Sequence, residues 1–293
     1  SRAEALAGVH CVLTAADLPP SQGVMTDMPG QTGGLTKNTK QPILAKDRVR
    51  FCGEPIALVA AENAAIAEQA LRLIDIEYED LDGIYDPFDA LAPGAPIIFG
   101  DDNVVASYKV RKGDIEKGFA EADFIVENTF TTQYQEQAFL EPEAALAWVD
   151  EHEVLNIRSS TQVVEHYRAV ADAIGLPHNR VRLRAEFVGG GFGGKEVMTI
   201  EVWLALLALA SRRPVQLVQP RERSFLSHGP RHPFTMTHRT GVSRDGKITA
   251  LQIKLTSDAG AYAKLSPYIL LYATVGATGP YRVDNLHIDS VSA

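Results

Sequence analysis

The residues best suited to chemistry are nine in a row: Val188-Gly189-Gly190-Gly191-Phe192-Gly193-Gly194-Lys195-Glu196. Five of the nine are glycine; a strand-like run (Val181 to Val188) leads in, and an apolar helix is predicted from roughly Glu196 to Ala210. Glycines this dense between regular elements mean backbone at positive φ, or N–H groups approached directly by a ligand. Gly189-xxxx-Gly194-Lys195 meets all but the last position of a phosphate-binding loop. Glu196, however, stands where a hydroxyl must reach Mg²⁺, and its carboxylate would repel the phosphates. Gly189-x-Gly191-x-x-Gly194 meets the dinucleotide fingerprint. Against it, Arg182, Arg184 and Glu186 give the preceding strand a polar face, and the next strand ends in Gln219 rather than an acid. A ligand-free strand-to-helix turn would manage with fewer glycines, since ordering each one costs backbone entropy.

Other candidates are sparser. Cys11 and Cys52 lie far apart with no CxxC, which removes a disulfide framework and a cysteine-built zinc or iron–sulfur site and points to a reducing compartment. His228 and His232 have no carboxylate between or beside them and read as loop histidines rather than zinc ligands. Glu141 and Glu143 read as solvated carboxylates of a polar connector. Arg221, Arg223 and Arg231 form a basic loop, either solvated or meeting phosphate or a partner subunit. A formal net charge of −9 argues against phosphate-tracking nucleic-acid binding. The longest apolar run, Val202 to Ala210, is about half the ~20 residues of a membrane span, and Ser1 to Leu6 lacks the regions of a signal peptide.

The elements that must position these residues follow from periodicity and punctuation. The 293 residues, 45% hydrophobic and 22% charged, suit about two globular domains. A short helix is expected at Arg2 to Leu6, a strand at Val9 to Leu13, and a long surface excursion from Pro19 to Pro42. Pro55 to Ala61 reads as a buried strand, Asn63 caps a helix to about Leu73, and Ile74 to Asp80 alternates as a strand. Tyr85 to Asp102 reads as a linker. Ala122 to Thr132, Ala144 to Val149 and Val154 to Ile157 alternate with a period of two, predicting an antiparallel sheet with one solvated face. A helix from Val163 to Ile174 stops at Gly175. After the glycine turn and its helix come a strand at Val215 to Val218 and a basic loop from Pro220 to Pro233. The chain closes with a hairpin, Phe234–Val242 and Ile248–Leu255, turned by Asp245-Gly246, and a strand at His287 to Val291.

Gly189 to Glu196 resembles the molybdenum-cofactor loop of the molybdenum hydroxylases, the xanthine dehydrogenase and aldehyde oxidase family. Gly53 to Ala61 with Asp75 to Leu81 is similar to that family's α/β hammerhead domain. Phe139-Leu140-Glu141, Thr161-Gln162, Gly175-Leu176-Pro177-x-Asn179-Arg180, Arg213-Pro214-Val215, Arg231 to Phe234 and Asp258-x-Gly260-Ala261-Tyr262 follow in the family's order and spacing. The resemblance covers nearly the whole chain. It implies an α+β fold: an N-terminally incomplete α/β hammerhead domain (1–87), a linker (88–110) and the first part of a molybdopterin-binding mixed α/β domain (111–293).

The same resemblance implies a molybdenum centre held by the pterin dithiolene of molybdopterin, its cytosine dinucleotide form included, with no protein ligand to the metal. Such a centre inserts water-derived oxygen at an electron-poor carbon, here of an N-heterocycle such as a purine. Electrons leave through [2Fe–2S] clusters to FAD on partner domains or subunits. Gln162 matches the amide that hydrogen-bonds a metal oxo ligand, and Gly191, Phe192 and Gly193 match the backbone lying against the metal. Glu196 matches the glutamate that contacts the heterocycle in purine-hydroxylating members, where aldehyde-oxidising members carry an apolar residue. A carboxylate at a positive helix N-terminus would also account for Glu196. The family's later loops and its glutamate base are absent, so the base is expected downstream and this chain alone is expected to be inactive, as part of a cytoplasmic oligomer. Aldehyde oxidation in the same family and a non-catalytic assembly module are the alternatives.

Overall fold

Period-two apolar runs become strands and capped apolar runs become helices along most of the chain, which the computed structural model describes over residues 1–18, 24–26, 40–98 and 100–293. In chain order the elements begin with β1 (Val9–Thr14), β2 (Val24–Thr26), β3 (Lys40–Pro42), β4 (Ala57–Ala61), α1 (Ala64–Leu71), α2 (Pro87–Ala90), β5 (Ala106–Lys112) and α3 (Ile115–Ala120). There follow β6 (Phe124–Thr131), β7 (Ala144–Val149), β8 (Leu155–Ser159), α4 (His166–Ile174), β9 (Val181–Ala185), α5 (Glu201–Ser211) and β10 (Val215–Val218). The last are α6 (Arg221–Ser227), β11 (Phe234–Val242), β12 (Ile248–Ser257), α7 (Ser266–Gly276) and β13 (Leu286–Ser292). Among the described residues no helix is long and apolar enough to cross a membrane.

Two compact units result. One takes the described residues up to Leu81 together with Glu136–Pro230. Its four-stranded sheet has the order β10-β7-β8-β9; β7 runs antiparallel to both neighbours, and β8 runs parallel to β9. The largely apolar α5 buries Val202, Leu204, Ala205 and Ala208 in a core with Ala147, Leu155, Ile157, Val170, Met198 and Ile200. Each fully buried leucine or isoleucine contributes about 1.5–3 kcal/mol. The antiparallel pair β1–β4 adds Leu58 and Ala60 to that core. Gly175 ends α4 in the left-handed region, φ 72°, as its type allows.

The other unit holds Asp82–Gln135 and Arg231–Ala293. Its five-stranded sheet has the order β5-β13-β12-β11-β6, with β12 and β13 parallel and the other neighbours antiparallel. Ile253, Leu255, Val283 and Ile288 form its core, and α3 adds Ile115 and Phe119 against Ala250.

Several expectations need correction. The alternating runs now in β6, β7 and β8 do not share a sheet: β6 lies in one unit and β7 and β8 in the other. Ile74 to Asp80 forms no strand; a period of two needs a neighbouring strand to pair with, and Ile76 and Tyr78 stay exposed. Arg2 to Leu6 is a series of turns. The basic loop contains α6, the linker contains α2, and α7 is an additional helix between the hairpin and the last strand. Most of the excursion from Pro19 to Pro42 lies outside the described residues, apart from the β2–β3 pair.

Candidate functional site at the glycine turn

Position in the sheet explains the sequence of the approach strand. β9 is the edge of its sheet, which accounts for exposed Arg182 and Arg184 and removes the central buried strand that a dinucleotide fold requires. It stops at Ala185 rather than Val188, because its partner β8 ends at Ser159, where the chain turns into Thr161-Gln162. Phe187 is consequently fully exposed.

The five glycines have different reasons to be there. A Cβ on Gly189 would stand 2.7 Å from the Glu141 Cβ, one on Gly194 2.9 Å from the Phe139 ring, and one on Gly191 2.2 Å from Gln162 Oε1. Gly190 and Gly193 take φ of 103° and 91°. Only Gly193 would meet nothing within 4 Å, so one face of its backbone is open. Between them Phe192, a 63% exposed residue, sits at φ 52°, a costly backbone state for a bulky side chain.

Gln162 lies against this turn. Its Oε1 accepts from Gly193 N–H at 3.0 Å and Lys195 N–H at 3.3 Å, and its own N–H donates to the Lys195 carbonyl at 3.1 Å. Two backbone donors on the oxygen fix which way the amide faces, and leave the Nε2 hydrogens without a partner among the described residues. Gln162, Gly191, Phe192 and Gly193 are thus brought together.

Lys195 is spent internally. It is 1% exposed, donates from Nζ to the Glu141 carbonyl at 2.9 Å and to Glu141 Oε2 at 3.0 Å, and stands 4.6 Å from the centre of the Phe139 ring. Glu141 Oε2 also accepts from Gly189 N–H at 2.7 Å, so Glu141 is a brace of the turn rather than a solvated carboxylate. Glu143 is buried beside His228, with 3.3 Å between its Oε1 and Nδ1. The His228 ring meets the Ser224 carbonyl through Nδ1 at 2.5 Å and Glu136 Oε1 through Nε2 at 2.7 Å. Both carboxylates read as solvated are therefore built into the unit, and the Phe139 side chain that precedes them in the connector is buried as well. Arg221 donates to the Leu140 carbonyl at 2.9 Å and Arg223 pairs with Glu68 at 2.9 Å, so these two cations are used within the unit. No group of His, Cys, Asp and Glu among the described residues could hold a metal.

The helix after the turn starts at Glu201, not Glu196. Val197, Met198 and Ile200 are buried in a non-helical segment, and Glu201 Oε2 takes the Thr199 N–H at 2.9 Å. The helix-terminus carboxylate is therefore Glu201, and a favourable helix end no longer accounts for Glu196. Glu196 is exposed; its N–H donates to the Gly193 carbonyl at 3.3 Å and its carbonyl lies 2.9 Å from His166 Nε2. Its carboxylate has no partner among the described residues.

Sequence patterns did not single out His166 and Glu201, which come together from separate segments; only the position of His166 four residues after Gln162 hinted at them. Burial raises the Glu201 carboxyl, but the hydrogen bond and charge of His166 and the N–H groups of Glu201 and Thr199 outweigh it, so its pKa lies below the ordinary 4.5. A depressed carboxylate stabilises the fold above its unfolded pKa and ceases to do so as pH falls through the folded value. Wild type is expected to be more stable than Glu201→Gln near neutrality, and the gap in Tm should close as pH is lowered below about 4.5. A gap independent of pH would exclude the charged pair.

The chain as a whole is similar to known proteins. Residues 1–82 match the aldehyde oxidase and xanthine dehydrogenase a/b hammerhead domain, and residues 99–293 the molybdopterin cofactor-binding domain. The chain is 36% identical over 291 residues to the nicotinate dehydrogenase large molybdopterin subunit of Eubacterium barkeri, covering 99% of this chain and 66% of that protein. It is 35% identical over 285 residues to a probable xanthine dehydrogenase subunit of Bacillus subtilis (strain 168), covering 96% of this chain and 38% of that one. It is also similar to the solved aldehyde oxidoreductase from Desulfovibrio gigas, with a TM-score of 0.94 at 28% identity over 100% of this chain and 32% of that one. The chain thus spans 66% or less of the length of these relatives. The α+β fold with its hammerhead region and the two matched domains make this chain a member of the xanthine dehydrogenase and aldehyde oxidase family of molybdopterin-dependent oxidoreductases.

Proposed function

We propose that this chain is the substrate-facing part of a molybdenum hydroxylase acting on an electron-poor carbon of an N-heterocycle such as a purine, with a hammerhead domain over 1–87, a linker over 88–110 and a cofactor domain over 111–293. The observation that carries this is Glu196, an exposed carboxylate with no partner among the described residues, on backbone held at both N–H and carbonyl. Such a carboxylate accepts hydrogen bonds from ring N–H groups; a plain aldehyde has none to offer.

The turn suits molybdopterin: Gly193 leaves its backbone face open, and Gln162 has a spare amide donor beside it. When bound, the cofactor supplies the oxidation of the carbon with oxygen derived from water. Gln162 would donate from Nε2 toward a cofactor oxygen without changing its own charge. Gly193 would leave its backbone bare for close approach, Gly191 makes room for the Gln162 amide, and Phe192 would cover the site against water. In this reading no described residue is a ligand to the metal. The glutamate base is expected downstream and further pterin contacts from the remainder of the molybdenum subunit, with [2Fe–2S] clusters and FAD on partner domains or subunits and a pterin that includes the cytosine dinucleotide form. The relatives' names, a large molybdopterin subunit and a xanthine dehydrogenase subunit, support a multi-subunit assembly. Two free cysteines support a reducing, cytoplasmic setting.

In the complete enzyme, Glu196→Gln or Glu196→Val is expected to lower purine kcat/KM by about 10- to 100-fold, the worth of one or two hydrogen bonds to a charged group, with much less effect on an aldehyde. An unchanged purine kcat/KM would refute the contact.

A further inference from the structure

Behind Thr161-Gln162 and Lys195-Glu196 lies a buried polar network made of this chain's own residues. His166, at the head of α4, is 3% exposed. Its Nε2 is 2.9 Å from the Glu196 carbonyl, which can only accept, so Nε2 carries hydrogen. Its Nδ1 is 3.2 Å from Thr161 Oγ1, and that hydroxyl donates to the Lys195 carbonyl at 3.3 Å, so Nδ1 donates as well. Glu201 Oε1 stands 3.9 Å from Nδ1 in the same buried space and balances the doubly donating ring. The Glu201 carboxylate is in turn fixed by Ser159 Oγ at 2.8 Å and Thr199 N–H at 2.9 Å. Thr161-Gln162 and Lys195-Glu196 are thereby braced on one rigid ring, whose two donors set the spacing of what they hold.

We propose that His166 is a positioning residue: it holds the Glu196 backbone at a fixed distance from Gln162, so that a heterocycle gripped by Glu196 meets the cofactor in register. This rests on the role given to Glu196 above. The Gln162 amide keeps one hold outside this network, the Gly193 N–H at 3.0 Å, so it is disturbed less than Glu196.

The test compares His166→Gln, Glu196→Gln and the double variant in the complete molybdenum-loaded enzyme, with molybdenum content measured on each. His166→Gln is expected to keep its molybdenum, to weaken binding of a non-oxidisable purine analogue, and to lower purine kcat/KM by about 100-fold, the order of loss from a misplacement of ~1 Å. The aldehyde loss should be much smaller. In the Glu196→Gln background, adding His166→Gln should cost little further purine affinity. Equal purine and aldehyde losses, or additive losses in the double variant, overturn the proposal. A silent Glu196→Gln refutes the role of Glu196 and this proposal with it. An impaired Glu196→Gln beside a silent His166→Gln leaves Glu196 standing and removes His166. Should His166→Gln fail to fold or to load molybdenum, Thr161→Val, which removes only the bridging hydroxyl, is read by the same criteria: a purine-selective loss supports the brace and none overturns it.

Discussion

Gly191→Ala is expected to reduce turnover of every substrate by about 10²- to 10³-fold, the loss that follows removal of one preorganised hydrogen-bond donor. The added Cβ would stand 2.2 Å from Gln162 Oε1 and 2.7 Å from its Cδ. Those atoms are the far end of a flexible side chain, so the turn need not break; the amide is driven out. It then loses the Gly193 and Lys195 N–H groups that hold it at 3.0 and 3.3 Å, and its Nε2 no longer faces the turn. The cost in stability should be small, about 1 kcal/mol for each neutral hydrogen bond lost. Gln162→Leu should reproduce the loss of turnover without disturbing Gly191. Steady-state kcat/KM on a purine and on an aldehyde, with molybdenum content as the control, checks both variants. Activity within a few-fold of wild type in Gly191→Ala would remove Gln162 from the site.

Glu141→Ala should destabilise the chain by about 3–5 kcal/mol, as expected when a buried charge loses its partner. Lys195 is 1% exposed, and without the Glu141 carboxylate its ammonium keeps only a carbonyl and the Phe139 ring face. Gly189 N–H loses its acceptor in the same substitution. Lys195→Met is expected to cost less, about 1–2 kcal/mol, because the group left behind, Glu141, is 34% exposed and can still take the Gly189 N–H and water. Urea unfolding followed by circular dichroism measures both; a larger loss in Lys195→Met would contradict the ion pair as drawn. Glu141→Leu with Lys195→Met, apolar on both sides, should recover part of the loss.

The pattern of five glycines, a lysine and a glutamate was enough to mark the candidate site, and Glu196 alone argued against a phosphate loop. Local patterns also marked elements whose signals are local: Asn63 at the head of α1, Gly175 at the end of α4, and the Asp245-Gly246 turn between β11 and β12. These follow from backbone conformation and hydrogen bonds within a few residues, which a sequence states directly. Glu141, Glu143, His166, Lys195 and Glu201 were not legible in this way. Whether a carboxylate is solvated or buried depends on which distant segment arrives beside it, and Glu141 meets Lys195 across 54 positions while His166 meets Glu201 across 35. The three crowded glycines are filled by Glu141, Gln162 and Phe139, so packing within the chain explains most of a pattern that looks like a ligand loop when read alone. From sequence alone came the family and the residues of the turn, because both rest on residue type and local order. Tertiary structure decided that α5 begins at Glu201, that Glu196 is free to face outward, and that a buried histidine sits behind it, because each depends on contacts between segments far apart in the chain.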